Sequence, residues 1–298
     1  MASPVLIAED AVSVWKERLL AVGWCIIPRL LPATTIAALD ADLADDFELT
    51  PFCDGDFYGR RTKRFGRLLL RSPHAEALVA HPLIRALARV VLAPWCDTIQ
   101  LNLTQALALH PGAPPQLPHR DQDMWRGALG ETEYLLNVMW PFTPYRAANG
   151  ATLIYPESHG RAALDPAFEG APVAAELDPG SALLFLGSTL HGAGGNSSDE
   201  VRRGAIVSYC LGWLKPYENQ WLAYPPEIAR HFDPELAALV GYVQHRPNLG
   251  NFEGHCPSVL FNDDRAERLG AIDALRADQV DLVADFARHQ DWPGAAGR

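Results

Sequence analysis

Apolar residues recur at helical spacing in the first third of the chain and at strand spacing in the middle. Ile36, Leu39, Leu43 and Phe47 fall three or four positions apart with acidic residues between them, which predicts an amphipathic helix capped by Thr34 or Thr35. A second helical stretch is expected from about Pro73 to Leu92, divided at Pro82 because proline cannot continue a helix interior. From about Cys96 the period shortens. Residues 98–110 (TIQLNLTQALALH) alternate in places with period two, as a half-buried strand does. Leu135 to Phe142, Ala151 to Tyr155, Ser181 to Leu186 and Ala205 to Trp213 also read as strands. Turn-rich segments at 111–115, 178–180 and 192–196 separate them. Beyond Trp213 the chain is irregular and aromatic. A last helix is expected over Asp264 to His289, with Ile272, Leu275, Val283 and Phe286 on its buried side.

Short strands without helices between them point to a mainly β fold with flanking helices, either a sandwich or a jelly roll. The expected organisation is one domain over residues 1–298. It has a helical N-terminal region to about 95, a β core over 96–213 and a C-terminal extension over 214–298 packed on that core. No internal repeat or low-complexity segment interrupts it.

Composition narrows the function classes. A chain of 298 residues, 48% hydrophobic, can bury a large core. Its formal net charge of −11 argues against nucleic acid, since phosphate binding needs a basic surface, and less strongly against an anionic membrane. No apolar run reaches the roughly eighteen residues that span a bilayer. The first ten residues lack the basic-then-apolar pattern of a secretory signal. Cys25, Cys53, Cys96, Cys210 and Cys256 are widely spaced and odd in number, with no zinc-type pair and no disulfide frame. A reduced, cytoplasmic compartment is expected.

The candidate chemistry lies at Pro115–Trp125 (PQLPHRDQDMW). His119 and Asp121 are separated by one residue, and in extended backbone such residues share a face, so imidazole and carboxylate can meet one ion. His191 follows a predicted strand. Two histidines and a carboxylate suit non-haem Fe(II) and leave three positions for a bidentate 2-oxo acid and O₂. Zinc accepts the same ligands, so a zinc hydrolase stands as an alternative. After His191 a Gly/Asn/Ser loop runs into Arg202 and Arg203. An arginine at the buried start of a strand is costly unless an anion meets it, and the distal carboxylate of 2-oxoglutarate is such an anion. The alternative is two solvated arginines at a strand edge. Being adjacent, the two point to opposite faces, so only one can enter a pocket.

With these residues in view, the chain resembles the phytanoyl-CoA dioxygenase family of Fe(II)/2-oxoglutarate oxygenases. Leu190–Tyr209 is similar to the family's His-Gly-Ser/Ala-Gly-x-Asn loop with an arginine eleven residues after the histidine, which is Arg202. Asn149–His159 (NGATLIYPESH) resembles its Asn-Gly hairpin, with Glu157 where glycine is usual. Leu19 to Leu43 resembles its opening helix and strand, and His81–Ile84 its second helical region. Thr62–Arg64, Arg71–Pro73, Pro115–Asp121 and Leu239–Tyr242 look closest to the natural-product (secondary-metabolite) branch. The resemblance implies a double-stranded β-helix (jelly-roll, cupin-like) core. It also implies Fe(II) on His119, Asp121 and His191, and 2-oxoglutarate held by Arg202 with contacts from Gln116 and Thr152. The implied reaction is hydroxylation, or desaturation or rearrangement, of a small-molecule substrate using O₂, with succinate and CO₂ released.

Other features weigh less. Arg60, Arg61, Lys63, Arg64 and Arg67 form a basic cluster that would suit the phosphates of an acyl-CoA thioester, or would simply be solvated. Trp125 and Trp140 are candidates for pocket walls and equally for core. His159 is the main rival for a metal position, while His255–Cys256 has no ligand partner at metal spacing. A jelly-roll protein that binds metal without turnover is the non-enzyme alternative. The aromatic stretch Trp213 to Tyr224 would pack on the core or form a homodimer.

Overall fold

The computed structural model describes residues 9–127, 130–165 and 168–289. The chain falls into two compact units, residues 1–225 and 226–298.

The first unit opens with helix α1 (Glu9–Val22), strand β1 (Trp24–Ile27) and helices α2 (Ala33–Asp42) and α3 (Ala44–Leu49). Ile36, Leu39, Leu43 and Phe47 are all buried, as their spacing predicts. The expected threonine cap is absent, because α2 starts at Ala33 behind Pro32 and Thr34 and Thr35 lie inside its first turn. Strand β2 (Thr62–Phe65) follows, in a segment whose charges hide it from pattern reading. Helices α4 (Leu68–Arg71), α5 (Glu76–Val79) and α6 (Pro82–Leu92) come next, with Pro82 at the start of α6, where its missing N–H costs nothing.

The β core comprises β3 (Ile99–Leu109), β4 (Leu135–Pro141), β5 (Thr152–Ile154), β6 (Val173–Ala174), β7 (Ala182–Leu186), β8 (His191–Ala193) and β9 (Arg202–Leu211). Six strands form one antiparallel sheet in the order β1-β7-β4-β9-β3-β2, and three form a second in the order β6-β5-β8. Leu107, Met139, Phe185 and Ile206 of the large sheet meet Ile154 of the small one in the core between them. The outer face of the large sheet is covered too. Leu83, Ile84, Leu87 and Val91 of α6 are buried, and Tyr209 on β9 donates to Val79 O at 2.6 Å. This explains why β3, expected to be half-buried, is buried almost throughout.

The sheets give the expected jelly-roll core, although helix (33%) exceeds strand (21%), a larger helical share than a mainly β chain implies. Strand β9 begins at Arg202, ahead of the expected Ala205, so both arginines are strand residues. Short helix α7 (Gln220–Ala223) falls within the first unit: Gln220 Nε2 donates to Asn102 O at 3.2 Å, and the Tyr224 and Thr104 hydroxyls are 3.2 Å apart.

The second unit contains α8 (Pro226–Ala229), α9 (Pro234–Leu239) and α10 (Ala277–Arg288). Helix α9 is capped by Asp233, whose carboxylate accepts from Glu235 N at 2.9 Å. Helix α10 starts well after the expected Asp264 and buries none of its residues. Ile272, Val283 and Phe286, expected on its buried side, are exposed, and Leu275 is half-buried. Among the described residues, no helix is long and apolar enough to cross a membrane.

Candidate metal centre

His119 and His191 lie opposite each other across an antiparallel bridge, each backbone N–H donating to the other's carbonyl at 2.9 and 3.0 Å. Their rings are 4.5 Å apart. His119 Nδ1 is 2.9 Å from Leu117 O and His191 Nδ1 is 3.0 Å from Thr189 O. A carbonyl only accepts, so each Nδ1 carries the hydrogen and each Nε2 keeps its lone pair for a metal. Asp121 opens a 3₁₀ turn (Asp121–Met124), with Oδ1 3.5 Å from His119 Nε2 and Oδ2 3.7 Å from His191 Nε2. One donor atom from each residue lies within 4.8 Å of the others. Two imidazoles and a carboxylate so gathered fit a single Fe(II). Among the described residues no other group of three has this form.

The electrostatics favour ligation at Asp121 and His191, while at His119 a proton competes with the metal. Burial acts to raise the Asp121 carboxyl, but His191, His119 and, least, Arg64 outweigh it and hold the group below the ordinary carboxylate range. Burial pulls the His191 imidazole below its usual value, and Asp121 offsets only part of that. A lowered carboxyl and a lowered imidazole each favour the deprotonated form, the form that binds metal. For His119 the pull of burial is exceeded by the Asp121 hydrogen bond and charge, and its value rises.

A cavity of about 430 Å³ opens on this cluster, with Leu107, Met139, Phe185 and Ile206 among its apolar walls. Gln116, Thr152 and Arg202 line it as well. Gln116 Oε1 accepts from Ala193 N at 3.3 Å, and Thr152 pairs with the same residue across β5 and β8. Arg202 is only 2% exposed. Its Nη1 donates to Gly150 O at 2.6 Å, its guanidinium lies 4.4 Å from the Tyr145 ring centroid, and its Nε has no hydrogen-bond partner. Two glycines make this packing possible. A Cβ on Gly150 (φ +85°) would strike Leu109 and Gly194 O, and one on Gly204 would strike the Tyr145 hydroxyl. Arg203 faces the other way, bonded to Asp40 Oδ2 at 2.6 Å and lying over Phe47.

The remaining candidates separate clearly. In the basic cluster, Arg60 pairs with Asp54 and Asp56, Arg61 donates to Pro111 O, and Lys63 donates to the carbonyls of Phe47 and Glu48 at 2.8 Å each. Only Arg64 reaches the cavity, with Nη1 on Gln105 Oε1 at 3.2 Å and an unpartnered Nε. Trp140 is fully buried outside the cavity wall, and Trp125 Nε1 donates to Lys215 O at 2.9 Å. His159 serves the fold, Nε2 bonding Leu20 O at 2.9 Å. His255 Nε2 lies 2.6 Å from Gly270 O. Glu157 keeps the left-handed turn that glycine would favour, at φ 61°.

Pattern reading did not single out Tyr58, Tyr217, Asn102 or Asn137. The Tyr58 and Tyr217 hydroxyls meet at 2.5 Å from segments far apart in sequence, and both residues line the cavity. Asn137 Nδ2 donates to Asp121 Oδ2 at 3.0 Å. A polar residue inside the apolar run LLNVMWP of β4 was the available signal.

A jelly-roll core that brings two histidines and a carboxylate to a cavity with a buried arginine defines a mononuclear non-haem metal oxygenase site. Residues 20–204 match the family model described as Phytanoyl-CoA dioxygenase (PhyH). The chain is 33% identical over 218 residues to dioxygenase cdmD of Talaromyces verruculosus, covering 70% of this chain and 69% of that one. It is 32% identical over 256 residues to multifunctional dioxygenase ausE of Aspergillus calidoustus, covering 79% and 84%. The crystal structure of the non-haem α-ketoglutarate-dependent epimerase SnoN from nogalamycin biosynthesis aligns with a TM-score of 0.59 at 21% identity, covering 70% of this chain and 86% of that one. The chain belongs to the PhyH family and is an Fe(II)- and 2-oxoglutarate-dependent oxygenase.

Proposed function

We propose that the chain oxidises a C–H bond of a small organic molecule in natural-product biosynthesis. In this reading His119, Asp121 and His191 hold the iron. Arg202 receives the distal carboxylate of 2-oxoglutarate, and Gln116 and Thr152 contact the same cosubstrate. The observation that carries it is Arg202: a buried guanidinium with an unpartnered Nε, on the wall of the cavity that holds the three metal donors. A charge so placed calls for an anion.

Iron with 2-oxoglutarate and O₂ supplies, when bound, an oxidant able to take hydrogen from a C–H bond, while the cosubstrate leaves as succinate and CO₂. The chain's own residues bind, orient and exclude water. Arg64 adds a second positive charge for the dianionic cosubstrate, and Met139, Phe185 and Ile206 keep the inner cavity apolar. Hydroxylation is the simplest outcome, and the same residues serve desaturation or rearrangement. An acyl-CoA substrate is disfavoured because the basic cluster is dispersed into separate local contacts. The net charge of −11 supports a reading without nucleic acid or membrane partners, and the five free cysteines support a cytoplasmic one. A homodimer is supported by the exposed Trp213, Trp221 and Leu222.

The test is succinate production from 2-oxoglutarate by the Fe(II)-loaded protein in air, with and without candidate substrates. Succinate that depends on added iron is expected. Iron and cosubstrate binding without any succinate would instead mark a binding protein, and zinc-dependent hydrolysis would replace the reading altogether.

A further inference from the structure

Resting on Asp121 as a metal ligand, we propose that Asn137 is the positioning residue of that carboxylate, and that Ser208 and Asn102 hold Asn137 in turn.

Asn137 is fully buried as the third of the seven residues of β4, all of which are buried. An amide in such a strand weakens it unless its polar atoms are bonded. Its side-chain NH₂ donates to Asp121 Oδ2 at 3.0 Å. An ionised carboxylate only accepts, so the amide must present its NH₂ there, and the orientation of the side chain is fixed by chemistry. The bond occupies a lone pair of Oδ2 and stops the carboxylate turning about its own axis. Oδ1, which lies 3.5 Å from His119 Nε2, is left as the oxygen to donate to a metal. One oxygen per carboxylate keeps three coordination positions open, where chelation by both oxygens would close one.

The opposite end of the amide has a partner waiting. Asn137 Oδ1 has no hydrogen-bond partner and needs a donor. Ser208 is its cross-strand neighbour on β9 and faces the same side of the sheet. The Ser208 hydroxyl is fully buried and accepts from Asn102 Nδ2 at 3.0 Å, which leaves its own hydrogen for an acceptor such as Asn137 Oδ1. Asn102 reaches Ser208 because the β3–β9 register shifts between Leu101 and Leu103, leaving Asn102 as the extra residue of a bulge that redirects its side chain. Asn102 Oδ1 then accepts from Tyr217 N at 2.8 Å. Three buried polar side chains thus run across the sheet from the carboxylate to the segment bearing Tyr217.

The experiment titrates the metal-stripped, full-length chain with Co(II) under anaerobic conditions and follows the visible Co(II) spectrum, alongside thermal unfolding of the stripped protein. Asn137→Leu, nearly isosteric, is expected to weaken Co(II) binding about ten- to a hundredfold and to alter the spectrum of the bound ion. The stripped protein should be as stable as the wild type or more so, since an amide has left an apolar strand. A merely structural asparagine gives the reverse, lower stability with unchanged affinity and spectrum. Should Asn137→Leu fail to fold, Asn137→Ala carries the same expectation for affinity and spectrum. Ser208→Ala is expected to weaken binding about two- to fivefold, the worth of one neutral hydrogen bond, and no change there overturns the extension to Ser208. Asp121→Ala is the control. If it loses Co(II) while the Asn137 variants bind within twofold of wild type, the positioning role is overturned alone. If Asp121→Ala itself binds normally, the ligand assignment falls and this inference with it.

Discussion

Strand β9 and helix α10 carry equally persuasive apolar patterns, yet one is buried along almost its whole length and the other buries nothing. Strand β9 is hydrogen-bonded to β4 on one edge and β3 on the other, with the core against its inner face and α5 and α6 over the outer one. Every side chain it projects finds a neighbour. Helix α10 spaces Val280, Val283 and Phe286 correctly for a buried stripe, and all three are exposed. A periodic pattern states which face would be buried and not whether anything covers it.

Val207, fully buried in β9, cannot accept a charge, so Val207→Asp should cost more than about 4 kcal/mol and leave no folded protein by circular dichroism. A soluble, cooperatively unfolding variant would show that β9 is less enclosed than described.

Next come the two arginines at the start of the same strand. Truncating one partner of a desolvated Arg–carboxylate pair costs roughly 2–5 kcal/mol, so Arg202→Ala should raise the Michaelis constant for 2-oxoglutarate at least about thirtyfold with near-normal iron content. Arg203→Ala should leave that constant nearly unchanged and lower stability instead, because Asp40 loses the 2.6 Å partner that offsets its burial. Steady-state kinetics and urea unfolding of both variants check the pair, and exchanged phenotypes would reverse the assignment of faces.

A smaller effect concerns pH. Burial pushes the Glu133 carboxyl up to about 7 from 4.5, despite bonds from the Ser188 hydroxyl and N–H. Between those values the folded chain holds a proton that the unfolded chain has released. Stability should therefore fall as pH rises from about 4.5 to 7 and then level off, by on the order of 3 kcal/mol from this group. Glu133→Gln should flatten that part of the profile in urea unfolding at pH 5 and 7.5. An identical slope in both proteins would assign the dependence elsewhere.

The smallest effect belongs to α10. Phe286→Ser should change stability by no more than about 0.5 kcal/mol, the usual range for an exposed position. A loss of several times that would mean the stripe is covered in solution.

The same contrast governs what could be read in advance. His119 and Asp121 are legible as a pair one residue apart, although Asp121 opens a 3₁₀ turn and does not continue the extended chain expected of it, and Arg202 is legible through the family's interval from His191. Their surroundings arrive from distant strands. Arg64 sits in β2, whose sequence TKRF reads as a solvated charged run until Lys63 is seen buried against two backbone carbonyls. Asn137 and Asn102 interrupt apolar strands, and only the register of β3, β4 and β9 shows what they meet. The outer cover of the sheet was likewise hidden, since a half-buried strand and a fully buried one differ by what packs on the second face.

We assign the iron to which 2-oxoglutarate binds to His119, Asp121 and His191. The most direct measurement is the iron content of anaerobically loaded wild type, His119→Ala, Asp121→Ala and His191→Ala, with the visible charge-transfer band that 2-oxoglutarate raises on bound Fe(II). One iron per chain and a saturable band are expected for the wild type. Each variant should stay folded, lose most of the iron and show no band. A variant that keeps both at the wild-type level would remove its residue from the site and contradict the assignment.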